Sequence, residues 1–276
     1  MTTTTATLPN HLTSDADHIV QTAHRLADAA RSVILPYFRN SSIVTDNKDA
    51  SGFDPVTIAD RAAEEVMRDI LAKDRPNDAI LGEEFGEQSG TSGITWVLDP
   101  IDGTRGFISG TPTWGVLISA STEKGPIFGL IDQPYIGERF VGGLGHSYVD
   151  GPMGQRPLAS STIQRLDQAV LMTTFPEVGT EQERAAFEAV ASQTKLVRYG
   201  MDCYAYALVA SGQVDLVIEA GLNPYDIHGP IAVIEAAGGV VTNWSGGPAH
   251  QGGQLVVAAN QDLLNAVLPH LTPFEE

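Results

Sequence analysis

Trp96-Val97-Leu98-Asp99-Pro100-Ile101-Asp102-Gly103-Thr104 joins an apolar run to two carboxylates and a glycine turn. The Trp-Val-Leu run predicts a strand that ends at Asp99, where Pro100 removes a ladder donor and fixes φ. On an extended strand Asp99 and Asp102 would face opposite sides, because strand side chains alternate. A proline turn lets the two carboxylates converge. Gly103 and Thr104 then offer backbone N–H groups and a hydroxyl where a helix is expected to begin, and unpaired donors at a helix start bind phosphate.

Two more acidic segments surround it: Gly82-Glu83-Glu84 after a short apolar run, and Asp54-Pro55-Val56-Thr57-Ile58-Ala59-Asp60 opening a helix. At about 5 Å and an effective dielectric near 20, each pair of ionised carboxylates costs about 3 kcal/mol. The chain has no nearby lysine cluster to offset Glu83, Asp99 and Asp102. Divalent cations offset them directly, and an all-oxygen ligand set selects magnesium or manganese over zinc. A single Asp-Gly-Thr is usually a turn and a Glu pair usually a solvated face. Their combination after a strand is far more specific.

Outward from these segments, apolar residues at Ile19, Ala23, Leu26, Ala30, Val33, Ile34 and Tyr37 predict a helix over 15–39, with Ser14 as its N-cap. A second helix is expected over 58–72, capped by Thr57 with Asp60. Short β-like runs at 96–98, 116–118, 127–131 and 139–141, punctuated by Gly and Pro, predict a meandering antiparallel or mixed sheet. Beyond 155 the pattern alternates: helix 181–192, strand 196–199, helix 203–211, strand 214–219, helix 227–237, strand 254–258 and helix 261–268. The expected organisation is an N-terminal α+β half over 1–152, carrying the metal motifs, and a C-terminal α/β half over 153–276 that completes the site.

The 276 residues carry a net charge of −18 and no basic run, which excludes a nucleic-acid partner. The same field repels an anionic substrate unless bound cations reverse it locally. No apolar stretch reaches the roughly 18 residues of a membrane helix, and no signal-peptide pattern opens the chain, so a cytoplasmic protein is expected. The lone Cys203 rules out an internal disulfide. Haloacid-dehalogenase phosphatases carry Asp-x-Asp-Gly-Thr; the Asp-x-x-Asp spacing here sets that mechanism aside. P-loop, His-Glu-x-x-His and Gly-x-Ser-x-Gly patterns are absent.

With these three segments, and with Tyr225-Asp226 standing for a late Trp-Asp motif before an apolar helix ending at Gly238-Gly239, the chain resembles the inositol monophosphatase family from about residue 15 to 270. Arg105-Gly106-Phe107-Ile108-Ser109-Gly110, Ile131-Asp132-Gln133-Pro134, Gly137-Glu138-Arg139 and Asp202-Cys203-Tyr204-Ala205-Tyr206-Ala207-Leu208 are similar to its histidinol-phosphate phosphatases. Asn223 and Ile227-His228-Gly229 depart from that subgroup, which puts the floor of the pocket in question.

The resemblance implies a layered αβαβα sandwich, usually a homodimer, that hydrolyses a small phosphate monoester with two or three Mg2+ ions and a metal-activated water. Glu83, Asp99 and the carbonyl of Ile101 would hold one ion, and Asp99, Asp102 and Asp226 a second. Asp54 and Thr104, with Glu83, would form the catalytic set around the attacking water. Asp102, Gly103, Thr104 and Asp226 would meet the substrate phosphate end. Asp202 and Glu219 are expected to contact a cationic, non-reacting end, at positions remote from the metals. His228, Cys203, Tyr204, Tyr206 and Leu208 have bland readings as packing residues, while Glu84 and Arg105 stay open. Histidinol phosphate is the expected substrate. The rivals are inositol monophosphate, another sugar or nucleotide phosphate, or, with no catalysis at all, a regulatory binding role.

Overall fold

Two helices pack side by side at the start of the computed structural model, which describes residues 10–40, 45–47 and 55–271. The first, α1 (Asn10–Ile34), buries Ile19, Ala23, Leu26, Ala27, Ala30 and Ile34 at three- and four-residue steps, the period of one helical face. It begins at Asn10, ahead of Ser14, which is therefore inside the helix and not its N-cap. It also stops at Ile34, short of the expected end. A small antiparallel pair, β1 (Thr45–Asn47) and β2 (Pro55–Thr57), leads into α2 (Ile58–Asp74), which starts directly after Thr57 and buries Ala59, Ala63, Met67 and Leu71.

Next comes an eight-stranded mixed sheet. Its strands are β3 (Ala79–Gly82), β4 (Gly86–Gln88), β5 (Thr95–Asp102), β6 (Gly115–Thr122), β7 (Gly125–Gln133), β8 (Glu138–Gly143), β9 (His146–Asp150) and β10 (Arg156–Pro157), in the order β10-β9-β8-β7-β6-β5-β3-β4. One short helix, α3 (Thr104–Ser109), leaves β5. Both faces of this sheet are covered. Val116, Ile118, Phe128 and Leu130 pack with α1 and α2, whereas Leu117, Ile131 and Phe140 face the other way, into the C-terminal layers. Burial on both sides explains why these strands read as continuous apolar runs and not as alternating ones.

The remaining chain forms β11 (Val170–Thr173), α4 (Glu181–Ala191), β12 (Leu196–Tyr199), α5 (Asp202–Ala210), β13 (Leu216–Leu222), α6 (Pro224–Ala236), β14 (Val240–Thr242), β15 (Gly253–Ala258) and α7 (Gln261–Leu271). Its five strands order as β12-β11-β13-β15-β14. Helices α5 and α6 lie between the two sheets, and α4 and α7 pair outside the second. The layers therefore run α-β-α-β-α, as expected.

The middle layer sits close to the first sheet because glycines line the contact. A Cβ added at Gly142 would overlap Val233 Cα and the Ala232 carbonyl of α6. Since a helix backbone cannot rotate away as a side chain can, Gly142→Ala is expected to cost about 1–3 kcal/mol or more, read by urea unfolding. It should also lower activity, because α6 carries Asp226.

Candidate active site

Strand β5 does not end at Pro100. It continues to Asp102 through a bulge: Asp99 pairs with Leu117 and Asp102 with Gly115, so three steps on β5 match two on β6. The extra residue resets the alternation. Trp96, Leu98 and Ile101 face α1 and α2, while Asp99 and Asp102 both face the middle layer. Convergence of the two carboxylates is thus a property of a bulged strand, where a proline turn ending the strand was expected.

Three more elements complete the cluster. Glu83 follows β3, and its N–H donates to the Leu98 carbonyl across the parallel pair. Asp226 sits in the first turn of α6, where one of its oxygens accepts the Asn223 N–H at 2.6 Å. At the start of α5, Cys203 donates its N–H to Asp102 Oδ2 at 2.7 Å. Ligand atoms of Asp99, Asp102 and Asp226 lie within 4.8 Å of one another, and this is the one such His/Cys/Asp/Glu group among the described residues. Glu83 approaches Asp99 closely enough to hydrogen-bond with it. Asp54 lies outside the described residues.

Without a counter-ion these carboxyls resist ionisation. Burial first, then Glu83, Asp102 and Asp226, push Asp99 well above the usual carboxylate range. Asp102 is raised by burial and by Asp226 and Asp202. Burial lifts Asp226 to about 7, against the stabilising Asn223 N–H. Asp99 Oδ1 is buried with no hydrogen-bond partner. A hard divalent cation fits this set: it would take the orphaned oxygen as a ligand and offset the repulsion. A carboxyl whose folded pKa is raised stabilises the fold fully below its unfolded value and loses that contribution as pH rises through the folded one. For Asp226 the window runs from 3.8 to about 7. Thermal unfolding of metal-free protein should therefore show a Tm that falls across this window, and Mg2+ at pH 8 should restore it. Asp226→Asn should lessen the fall, leaving the part due to Asp99 and Asp102, which are raised as well.

Beside the cluster opens a pocket of about 480 Å³, whose lining includes Asp102, Gly103, Thr104, Asp202, Tyr206, Glu219 and Asp226. Gly103 adopts φ 82°, a left-handed turn that starts α3, and the Thr104 hydroxyl donates to the Ile101 carbonyl at 3.1 Å. Asp202, itself at φ 46°, accepts a 2.6 Å bond from the Thr113 hydroxyl. Glu219 is held at both oxygens: Oε1 accepts from the Thr174 N–H and hydroxyl, and Oε2 accepts from the Tyr206 hydroxyl at 2.6 Å. Arg105 lies over the Phe175 ring, 4.8 Å from its centroid, at the pocket wall.

Several expectations change here. Asp202 and Glu219 are not remote from the metal ligands, since Asp202 raises Asp102 and Glu219 raises Asp226. Tyr206, read as packing, lines the pocket one helical turn after Asp202, and Thr174 and Phe175 gave no signal in the sequence. Asn223 and Ile227-His228-Gly229 do not line the pocket. His228 is buried, with Nε2 2.7 Å from the His250 carbonyl and Nδ1 2.8 Å from the Ser121 hydroxyl, so Nε2 donates and Nδ1 accepts. Burial lowers its pKa, which keeps it neutral and structural. The Glu84 side chain forms an ion pair with Arg61 at 3.8 Å.

A layered αβαβα scaffold that gathers carboxylates beside a small-molecule pocket defines a class: phosphatases that work with hard divalent cations. The chain belongs to the inositol monophosphatase family, whose model matches residues 15–273. That family is metal-dependent, typically on Mg2+, and acts on small phosphate monoesters. The chain is 44% identical to the Arabidopsis thaliana bifunctional phosphatase IMPL2, chloroplastic, over 237 residues, which span 84% of this chain and 66% of that protein. It is 33% identical to a histidinol-phosphatase of Chlorobaculum parvum, covering 87% of this chain and 92% of that one. An inositol monophosphatase structure from Zymomonas mobilis superposes with a TM-score of 0.81 at 35% identity, covering 93% of this chain and 98% of that one. Among the described residues no helix is long and apolar enough to cross a membrane.

Proposed function

We propose that the chain is a Mg2+-dependent histidinol-phosphate phosphatase, releasing histidinol and phosphate for histidine biosynthesis as a cytoplasmic homodimer. The observation that carries this reading is the pair Asp202 and Glu219, two carboxylates that line the pocket in addition to the metal ligands. Glu83, Asp99, Asp102 and Asp226 would have their charge offset by two Mg2+ ions. Burial raises the Asp202 pKa, against the Thr113 hydroxyl bond and Arg105, so this carboxylate is short of positive charge even with Arg105 near it. A substrate with an ammonium group and a titrating imidazole supplies the missing positive charge. The histidinol-phosphatase relatives support the same choice.

Bound Mg2+ would supply a water acidified toward neutrality and charge neutralisation for an in-line displacement. The rest is done by the chain. Glu83, Asp99, the Ile101 carbonyl, Asp102 and Asp226 would hold the ions. Thr104 spends its hydroxyl proton on Ile101, so its lone pairs are left to accept from the attacking water, with Asp54 as the second group on that water. Gly103 and Thr104 present N–H groups to the phosphate oxygens. The water oxygen bonds phosphorus as the ester oxygen leaves and takes up a proton, with no covalent phosphoenzyme.

A second reading, hydrolysis of inositol monophosphate, is favoured by the Zymomonas mobilis likeness. Phosphate release from both esters at saturating Mg2+ separates the two. Histidinol phosphate should have the higher kcat/KM by about tenfold or more, the worth of one charge-assisted hydrogen bond. A preference for inositol monophosphate overturns the histidinol reading.

A further inference from the structure

Glu64 has no part in the chemistry above, yet its carboxylate is wholly buried in α2, directly beneath the turn that carries Glu83. Its Oε2 accepts the Glu84 N–H at 2.7 Å, and its Oε1 accepts the Phe85 N–H at 3.2 Å. Arg68, one helical turn later, donates Nε to the same Oε1 at 2.8 Å and Nη2 to the Gly86 carbonyl. The two side chains thus grip the 82–86 turn by both polarities of its backbone, donors through Glu64 and an acceptor through Arg68. Gly82 is a glycine for this reason: a Cβ there would overlap the Glu64 carboxylate.

We infer that Glu64, backed by Arg68, is a positioning residue for the metal ligand Glu83, fixing the turn so that Glu83 meets Asp99. This rests on the metal reading of the cluster, though not on which ester is the substrate. A shell of groups that orients the ligands themselves typically governs metal affinity by 10- to 100-fold. Glu64→Gln has the same shape but cannot serve all of its partners. Whichever way its amide is turned, its NH2 group faces a backbone N–H, donor against donor.

The test is Mg2+ binding to purified full-length protein without substrate, by calorimetry and by the Mg2+-induced rise in Tm. In Glu64→Gln the Mg2+ dissociation constant should rise by about tenfold or more. Activity should recover toward the wild-type kcat as Mg2+ is raised, and histidinol phosphate KM at saturating Mg2+ should stay unchanged. Arg68→Gln, on the less buried member of the pair, should weaken binding in the same direction and serves if Glu64→Gln does not fold. A lower Tm with wild-type Mg2+ affinity in both variants overturns the inference and leaves Glu64 a fold residue. If wild-type protein itself binds no Mg2+, the metal reading fails and the inference with it.

Discussion

Asp99→Asn should abolish turnover while making the metal-free protein more stable. Asp99 is the most buried of the cluster carboxylates, is raised by three acidic neighbours, and has one oxygen with no protein partner. An amide removes the charge that holds a cation and the repulsion that opposes folding, two consequences of one substitution. Loss of metal-dependent charge stabilisation worth about 4 kcal/mol corresponds to roughly a thousandfold lower kcat. Relief of one carboxylate pair, about 3 kcal/mol at 5 Å and an effective dielectric of 20, should raise the Tm of metal-free protein by several degrees. Calorimetry with chelator, and a phosphate-release assay with Mg2+, read the two effects separately. Asp102→Asn should behave alike, with a smaller gain in stability because Asp102 keeps the Cys203 N–H as a compensating donor. Wild-type turnover of Asp99→Asn in the presence of chelator would sink the metal mechanism.

Glu219→Gln and Asp202→Asn should each lower kcat/KM for histidinol phosphate by about 10- to 150-fold, the range of a charge-assisted hydrogen bond of roughly 1.5–3 kcal/mol. Hydrolysis of p-nitrophenyl phosphate, which has no cationic end, should change little. Both variants are expected to fold. Gln at 219 keeps an oxygen for the Thr174 donors, and its NH2 group meets a Tyr206 hydroxyl that is able to accept. Asn is among the residues that best tolerate the left-handed backbone found at 202, and its carbonyl oxygen still accepts from Thr113. Equal losses on the two substrates would show a general disturbance of the site, and the histidinol assignment would fail.

Much of this protein was legible in one dimension because the determining physics is local. The stripe Ile19, Ala23, Leu26 and Ala30 depends on periodicity and located the first helix, though five residues off at each end, and strand 196–199 came out at its observed bounds. The acids of the metal site were legible for a different reason: Glu83, Asp99 and Asp102 stand in short segments that make no sense without a cation. Asp226, far along the chain, was reached only through family likeness, and it is the close approach of α6 to a glycine-lined sheet that brings it to Asp99. Period-two alternation placed Asp99 and Asp102 on opposite faces of β5, and a proline turn was the expected remedy. The remedy turned out to be a bulge held by pairing with β6, which no local pattern encodes. Tyr206, Thr174 and Glu64 belong to the same kind. Each acts through a partner distant in sequence, Glu219 or the turn after Gly82, so packing alone decides whether its polar group meets solvent, substrate or a buried backbone N–H. Sequence by itself determined most of the helices, the central strands and three of the acids that demand a metal. Tertiary structure decided which carboxylates face each other and what holds them there, because hydrogen bonds between remote segments exist only once the layers have closed.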